Sequence, residues 1–130
     1  MKYLSILLIL TAGMMSSVSC AQTSGGVAAA VFSQKSKADK TALIIDVRTP
    51  AEFSAGHIDK AINIDVKAAD FQQKCDKLDK TRTLYVYCLA GVRSGRAADY
   101  LRSKGYRVIT LNGGIESWQS AGMPVVKSPK

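Results

Sequence analysis

Apolar runs alternate with amphipathic stretches along most of the chain. Four compact runs that are rich in aliphatic and aromatic residues predict strands over residues 42–45, 61–64, 83–87 and 106–111. Stretches with apolar residues at helical spacing predict helices over residues 27–37, 66–79 and 94–104, and a last helix bearing Ile115 and Trp118. This alternation with short connections predicts an α/β domain, in which a mostly parallel sheet is covered by helices on both faces.

Local signals mark a further helix directly after the first strand. Thr49 is suited to the N-cap, Pro50 to the first helical position, and Glu52 can return a hydrogen bond to the cap residue. Gly56 is suited to ending this helix. The sequence therefore predicts a helix between Thr49 and Gly56, next to the carboxyl end of a buried strand.

The amino-terminal segment has the layout of an export signal. Lys2 gives it a basic start, residues 3–15 are mostly apolar, and small residues follow up to Ala21. The apolar run is shorter than the roughly 20 residues that a membrane span needs. We therefore expect a signal peptide over residues 1–21, a small polar linker over 22–26, and one folded domain over 27–127, which suits a chain of 130 residues.

The processing of this segment has two interpretations. Small residues before Gln22 fit ordinary cleavage, whereas Ser17-Val18-Ser19-Cys20 resembles the lipobox of bacterial lipoproteins, in which Cys20 would be lipidated. Ser17 departs from the large aliphatic residue that is usual at its position in a lipobox. The expected location is the periplasm, with membrane attachment only if Cys20 is lipidated.

Charge and cysteine content narrow the possible functions. The formal net charge is +8, and it falls to +7 without residues 1–20, in which Lys2 is the only charged residue. The basic residues are scattered rather than clustered, so we expect no nucleic-acid partner, although the field can attract small anions. The spacing of the cysteines is not that of a metal site, and Cys75 and Cys88 are too few for a disulfide framework.

The candidate chemistry lies in the segment Cys88-Leu89-Ala90-Gly91-Val92-Arg93-Ser94. It follows the predicted strand 83–87 and precedes a predicted helix, which is where open α/β sheets place their ligands. Backbone N–H groups of such a loop, together with a helix N-terminus, favour the thiolate of Cys88, the reactive form. Gly91 permits a turn that a side chain would hinder. A buried packing role is the alternative for Cys88.

Several segments together resemble the rhodanese family of sulfurtransferases. The matching pieces occur in the order that the family shows, and they are Ile45–Phe53, Gly56–Ile58, Ala61–Ile64, Tyr87–Ser94, Gly105–Tyr106 and Leu111–Ile115 with Trp118. The resemblance extends from about Val27 to Val125, and the short exported form is similar to single-domain periplasmic rhodaneses of bacteria. It implies a rhodanese-like α/β fold with about five mostly parallel strands.

The resemblance also implies the chemistry. Cys88 would be the nucleophile that accepts sulfur from thiosulfate or a persulfide and holds it as a persulfide. Cyanide, a small thiol or a thioredoxin-like protein would remove that sulfur. The backbone N–H groups from Leu89 to Ser94 would stabilise the charged sulfur, and Arg93 would bind an anionic donor or stiffen the loop. No metal or organic cofactor is implied, and a monomer is expected.

Other functions remain as alternatives. A non-catalytic sulfur carrier or docking module would use the same loop without turnover, and a thiol–disulfide role would pair Cys88 with Cys75. A phosphatase or arsenate reductase is disfavoured because their cysteine–arginine loops are one residue longer than the four residues between Cys88 and Arg93. Leu89 stands where many thiosulfate-using relatives have a basic residue, which predicts weaker thiosulfate binding.

Four further side chains have expected roles in support of the fold. Asp46 and Arg48 follow the first strand, and we expect them to bond to each other or to brace the loop, with Arg48 also a candidate for lining the pocket. His57, in a Gly-His-Ile turn, is interpreted as structural rather than catalytic. Trp118 lies on the apolar face of the last helix and is interpreted as a packing residue.

Overall fold

A parallel sheet forms the centre of the protein in a computed structural model that describes residues 26–129. Its strands are β1 (Leu43–Asp46), β2 (Ile62–Asn63), β3 (Thr83–Tyr87) and β4 (Arg107–Thr110). They lie in the order β2-β1-β3-β4, and all neighbours are parallel. Val27 adds a single parallel bridge to Leu111 at the β4 edge. Four strands and this bridge agree with the expected mostly parallel sheet of about five strands.

Helices cover both faces of the sheet, as the alternation of elements predicts. They are α1 (Ala29–Ala38), α2 (Pro50–Ala55), α3 (Phe71–Asp76), α4 (Val92–Ser103) and α5 (Gly114–Ser120). One apolar core contains Leu84 and Val86 together with residues of α3 and α4. The opposite core contains Tyr85 and Tyr87 together with residues of α1 and α5. Alternate residues of β3 therefore serve the two cores, as the period of a strand requires.

Three predicted helices have different bounds in the structure, and the one predicted over residues 94–104 extends over Val92–Ser103. Val27 is not helical, because its N–H and carbonyl pair with Thr110 and Asn112 beside β4. Residues 66–70 form turns rather than the first part of a long helix. There the carboxylate of Asp65 accepts a hydrogen bond from the Lys67 N–H at 2.9 Å, a local bond that competes with helix formation. The remaining helix α3 still buries Phe71 and Cys75, as the apolar face predicts.

The helix after β1 begins as the sequence predicts. The Thr49 side chain accepts a hydrogen bond from the Glu52 N–H, and the Glu52 carboxylate accepts one from the Thr49 N–H, which completes a capping box. Gly56 is the C-cap residue. This places Glu52 in the first turn of α2, directly beyond the carboxyl end of β1.

The strand order places a topological switch point between the central strands β1 and β3. After β1 the chain moves outward to β2, whereas after β3 it moves outward in the opposite direction to β4. Ligands of open α/β sheets bind where the connections diverge in this way, beyond the carboxyl ends of the two central strands. Here those ends lead into Val47–Thr49 and into the segment that begins with Cys88.

The predicted signal peptide over residues 1–21, with Cys20, lies outside the described residues, as does the linker over residues 22–26 except for Gly26. Within residues 26–129, no helix is long and apolar enough to cross a membrane.

Candidate active site

Cys88 lies directly beyond β3, where the loop turns into α4. The Gly91 N–H donates a hydrogen bond to Cys88 Sγ at 3.1 Å, and the Cys88 thiol donates one to the Ser94 hydroxyl oxygen at 3.4 Å. The Ser94 hydroxyl also lies 3.1 Å from the Gly91 carbonyl, to which it donates. Gly91 is the N-cap residue of α4 and has φ 109°, a left-handed conformation that favours glycine. The loop is therefore folded around the sulfur atom.

The surroundings of Cys88 change the acidity of its thiol. Burial raises the pKa, but it is outweighed by hydrogen bonds from the Ser94 hydroxyl and from the N–H groups of Ser94, Gly91 and Ala90, so the pKa lies below its ordinary value. These donors stabilise the thiolate, the nucleophilic form of cysteine. Of the N–H groups from Leu89 to Ser94 that the sequence predicts to stabilise the sulfur, that of Gly91 makes a hydrogen bond to Sγ, at 3.1 Å.

Cys75 provides a contrast within the same protein. Both cysteines are free thiols, both are 1% exposed, and both contribute to the core between the sheet, α3 and α4. Burial, followed by the charge of Asp76, raises the pKa of Cys75 to about 11. Burial is thus common to the two residues, and the donors directed at the sulfur distinguish Cys88.

The loop around Cys88 presents apolar side chains to solvent. Leu89 and Ala90 are exposed, and Val92 is 69% exposed, whereas Ser94 is buried against the thiol. Isolated exposed apolar residues are normal, but these three belong to the same loop beside the thiol. The rim of the site therefore has an apolar surface.

Arg93 forms an ion pair with Glu52, a residue of helix α2. Its guanidinium donates to both carboxylate oxygens, with NH1 to Oε1 at 2.8 Å and NH2 to Oε2 at 3.0 Å. The ion pair lowers the pKa of Glu52 to about 2, so the carboxylate is ionised at neutral pH. Arg93 thereby ties the first turn of α4 to the first turn of α2, which corresponds to the expected role in stiffening the loop.

Asp46 and Arg48 form a buried ion pair next to the site. Arg48 Nε donates to Asp46 Oδ1 and Oδ2 at 3.0 and 3.1 Å, and its NH2 group donates to Oδ2 and to the Gly56 carbonyl at 2.6 and 2.7 Å. Asn63 Nδ2 donates to the carbonyls of Asp46 and Arg48 at 3.0 and 2.8 Å. These bonds fix the segment after β1. They account for the expected mutual pairing, and they direct Arg48 towards the end of α2.

The amino-terminal end of α5 makes hydrogen bonds to the backbone of the loop that begins with Cys88. The N–H groups of Ile115 and Glu116 donate to the carbonyls of Cys88 and Leu89 at 2.9 and 3.1 Å. Gly114 has φ 62°, and a Cβ atom there would lie 2.4 Å from the Leu89 carbonyl oxygen and 2.5 Å from that of Cys88. The close approach of α5 therefore requires glycine at position 114.

His57 and Trp118 make packing contacts. The His57 ring stacks on Phe53 with ring centroids 3.7 Å apart, and its Nδ1 lies 2.8 Å from the Phe53 carbonyl oxygen. Trp118 is buried in the core with α1, and its Nε1 donates to the Pro124 carbonyl at 2.8 Å. These contacts agree with the structural interpretation of both residues. Within residues 26–129, no group of three or more His, Cys, Asp or Glu side chains is arranged to hold a metal ion.

Sequence reasoning missed the contribution of three residues to this site. Glu52 stood out as a capping residue, but its pairing with Arg93 joins positions 41 residues apart, and the sequence carried no signal for it. Asn63 was part of a matched segment without an assigned role. Gly114 lies in the matched segment Leu111–Ile115, also without an assigned role, although the pair of glycines before the last helix hints at a close backbone approach.

Comparison with known proteins agrees with this geometry. The model of the Rhodanese-like domain family matches residues 28–121. A sulfurtransferase of Allochromatium vinosum is 36% identical over 96 residues, which cover 73% of this chain and 88% of that protein. The thiosulfate sulfurtransferase PspE of Escherichia coli is 37% identical over 83 residues, covering 64% of this chain and 77% of that protein.

Solved structures with the same fold include proteins of the same family. A rhodanese-related protein of Thermoplasma volcanium superposes with a TM-score of 0.72 at 31% identity, covering 80% of this chain and 99% of that chain. A rhodanese-like domain protein of Staphylococcus aureus has a TM-score of 0.69 at 25% identity, covering 81% and 99%. From the loop folded around Cys88, the parallel sheet that carries it and these similarities, we conclude that the chain belongs to the rhodanese family.

Proposed function

We propose that the protein is a sulfurtransferase that carries sulfane sulfur as a persulfide on Cys88. The observation that carries this proposal is the convergence of the Gly91 N–H and the Ser94 hydroxyl on Cys88 Sγ, at 3.1 and 3.4 Å. The Gly91 N–H stabilises a negative charge on sulfur before and after it accepts a second sulfur atom. The Ser94 hydroxyl, which donates to the Gly91 carbonyl while Cys88 is a thiol, can turn to donate to the sulfur once the thiol has lost its proton. The family's sulfurtransferase relatives support the same chemistry.

The reaction divides into two displacements. In the first, the Cys88 thiolate forms a bond to the outer sulfur of thiosulfate while the donor's S–S bond breaks, and sulfite leaves with the electron pair. In the second, cyanide or an acceptor thiolate forms a bond to the outer sulfur of the persulfide, and the Cys88 thiolate is the leaving group. The same donors serve both steps, because each begins or ends with a charged sulfur at this place.

The geometry of the loop suits both the thiolate and the persulfide of Cys88. An S–S bond of about 2.05 Å would place the outer sulfur beyond Sγ, among the remaining N–H groups of the loop. Arg93, held by Glu52, fixes the first turn of α4 and so the N–H groups that face the sulfur. The expected substrates are a small sulfur donor such as thiosulfate or a persulfide, and a thiol or cyanide acceptor.

Intact mass spectrometry tests the proposal. After incubation with thiosulfate and removal of excess donor, the wild-type protein should gain one sulfur atom, about 32 Da, and lose it on addition of cyanide. Cys88→Ser should gain nothing, whereas Cys75→Ala should gain the same mass as the wild type. A protein that takes up no sulfur from thiosulfate or from an organic persulfide would exclude the proposed function.

Turnover separates an enzyme from a carrier. With thiosulfate and cyanide both in excess, an enzyme forms thiocyanate continuously, whereas a carrier that serves one dedicated protein partner releases at most one equivalent. We expect many turnovers per Cys88. Leu89→Arg should lower the KM for thiosulfate, because it adds a cation at the rim, and an unchanged KM would contradict this role of Leu89.

We further propose that the protein is exported to the periplasm, on the basis of residues 1–21. Expression in a bacterial host followed by fractionation should recover a shortened chain in the periplasm or on a membrane. Cys20→Ala distinguishes the two forms, because it should release a lipid-anchored protein from the membrane and leave a simply cleaved protein unaffected. A full-length chain retained in the cytoplasm would contradict export.

A further inference from the structure

The ion pair between Glu52 and Arg93 neutralises the charge of the loop that holds Cys88. Arg93 is the only charged residue in the segment 88–94. Its guanidinium and the Glu52 carboxylate meet through two parallel hydrogen bonds, the strongest arrangement for these groups. Their side chains are 19% and 30% exposed, so the pair lies at the border between protein and solvent.

This pairing leaves the loop without an uncompensated cation. Leu89, Ala90 and Val92 form the exposed part of the loop and carry no charge. The hydrogen bonds to Glu52 are the largest cause that raises the pKa of Arg93, and the charge of the Cys88 thiolate is one of the smaller causes. The only charged side chain of the loop is therefore compensated mainly by a carboxylate of another helix.

We propose that Glu52 is a positioning residue that determines donor specificity: by neutralising Arg93 it disfavours dianionic donors such as thiosulfate and favours donors with less negative charge and an organic body. This inference rests on the proposed sulfur transfer through Cys88. A donor of this kind, an organic persulfide R–S–SH or a thiosulfonate, meets the apolar rim of Leu89, Ala90 and Val92 with its organic part. A dianion gains little binding energy at this loop, because the positive charge of Arg93 is already compensated by Glu52.

The transfer from an organic persulfide balances in the same way as the transfer from thiosulfate. The Cys88 thiolate forms a bond to the outer sulfur of R–S–SH, the S–S bond of the donor breaks, and the thiolate R–S⁻ leaves with the electron pair. The proton stays on the transferred sulfur, so neither an oxidant nor a reductant is needed. Both donors deliver the same outer sulfur, so the preference for one donor depends on how its leaving group binds. In this proposal the leaving group faces the apolar rim of Leu89, Ala90 and Val92.

The test uses two donors that differ in charge but deliver the same outer sulfur. Thiosulfate is a dianion, and methanethiosulfonate replaces one of its charged oxygens with a methyl group. The measurement is kcat and KM for each donor with cyanide as acceptor, in the wild type and in Glu52→Gln. Glutamine suits the same capping position and can still accept one hydrogen bond from Arg93, so the substitution removes the charge and retains helix α2.

We expect the wild-type protein to have the higher kcat/KM for methanethiosulfonate. In Glu52→Gln the KM for thiosulfate should fall by about three- to tenfold, while its kcat and the KM for methanethiosulfonate change by less than about twofold. The fall in the KM for thiosulfate should become smaller as salt is added, because salt screens the charge of Arg93 that Glu52 no longer compensates. A merely structural effect would change both donors alike.

Two further variants control this experiment. Asp99→Asn removes one negative charge from an exposed position of α4 that makes no side-chain hydrogen bond within residues 26–129, and it should leave the donor ratio unchanged. Glu52→Asp shortens the side chain but keeps the charge, so it should keep the wild-type preference. A donor ratio that is the same in the wild type and Glu52→Gln, or that changes equally in the Asp and Gln variants, would overturn the role of Glu52.

The failure of this inference differs from the failure of the proposed function. If Cys88 gains sulfur in the wild type but the donor ratio does not respond to Glu52→Gln, the sulfur transfer stands and the specificity role is wrong. If Cys88 gains sulfur from neither of these donors nor from an organic persulfide, both the specificity role and the proposed function are wrong.

Discussion

Gly114→Ala is expected to disrupt the loop of the candidate active site without replacing any residue proposed to contact substrate. Gly114 begins α5 and lies against the backbone of Cys88 and Leu89. An alanine Cβ would lie 2.4 Å from the Leu89 carbonyl oxygen, 2.5 Å from the Leu89 carbonyl carbon and 2.5 Å from the Cys88 carbonyl oxygen. An ordinary contact needs about 1 Å more, and backbone atoms cannot rotate away as a side chain can.

Two costs contribute to the effect. Alanine at φ 62° is strained by about 1–2 kcal/mol. Separation of α5 from the loop also lengthens the hydrogen bonds from the Ile115 and Glu116 N–H groups, now 2.9 and 3.1 Å, and each such bond contributes about 0.5–1.5 kcal/mol. We therefore expect Gly114→Ala to lower the free energy of unfolding by about 2–5 kcal/mol.

Gly113→Ala is the matched control. Gly113 also has a positive φ, 73°, but the Cβ added there would meet the Ser117 side chain, with Oγ at 1.9 Å and Cβ at 3.0 Å. The Ser117 hydroxyl can change its rotamer, so this substitution should cost little more than the backbone strain, about 1–2 kcal/mol. Both variants place alanine at a positive φ. They differ in the atoms that the added Cβ contacts, which are backbone atoms at position 114 and a side chain at position 113.

Urea denaturation measures the two stabilities, and the rate of Cys88 alkylation against pH reports on the loop. Gly114→Ala should move that pH profile to higher pH, because displacement of the Cys88 and Leu89 backbone disturbs the approach of the Gly91 N–H to Sγ. Gly113→Ala should keep the wild-type profile. Equal stability and equal profiles for the two variants would refute the argument that α5 positions the loop through a contact that only glycine permits.

Three further predictions concern single side chains. Ser94→Ala removes the hydroxyl 3.4 Å from Cys88 Sγ, a group that lowers the pKa of the thiol. The pKa should rise and alkylation near pH 7 should slow by about two- to tenfold, and an unaltered pH–rate profile would contradict this. Cys75→Ala should keep full sulfur transfer and lose about 1 kcal/mol of stability, whereas a loss of turnover in the folded variant would favour a redox role for Cys75. Gly95→Ala should raise the stability by about 0.5–1 kcal/mol, because the position lies inside α4 with nothing within 4 Å of the added atom, and thermal unfolding would show the opposite sign if this were wrong.

The elements of the fold were predictable from the sequence because their signals are local. Apolar runs identified all four strands, and the capping box placed the start of α2 at the correct residue. The bounds were wrong where a distant partner or a turn competed with helix propensity. Val27 joins the sheet edge, a long-range pairing, and the Asp65 side chain holds Lys67 in a turn. Such competition depends on the folded environment and leaves little trace in a short window of sequence.

The sequence by itself located the candidate nucleophile and its loop. A cysteine between a buried strand and a helix, with Gly91 and Arg93 in the loop, predicts a thiolate surrounded by N–H groups, because strand, loop and helix N-terminus follow one another in the chain. Only the tertiary structure decided the surroundings of that thiolate. It pairs Arg93 with Glu52 from another helix, and it brings the Ile115 N–H of α5 into hydrogen-bond contact with the Cys88 carbonyl. It also buries Cys75 where no hydrogen-bond donor lowers the pKa of its thiol. The order of residues fixes local geometry, whereas charge compensation and close backbone packing arise from segments that meet only after the chain has folded.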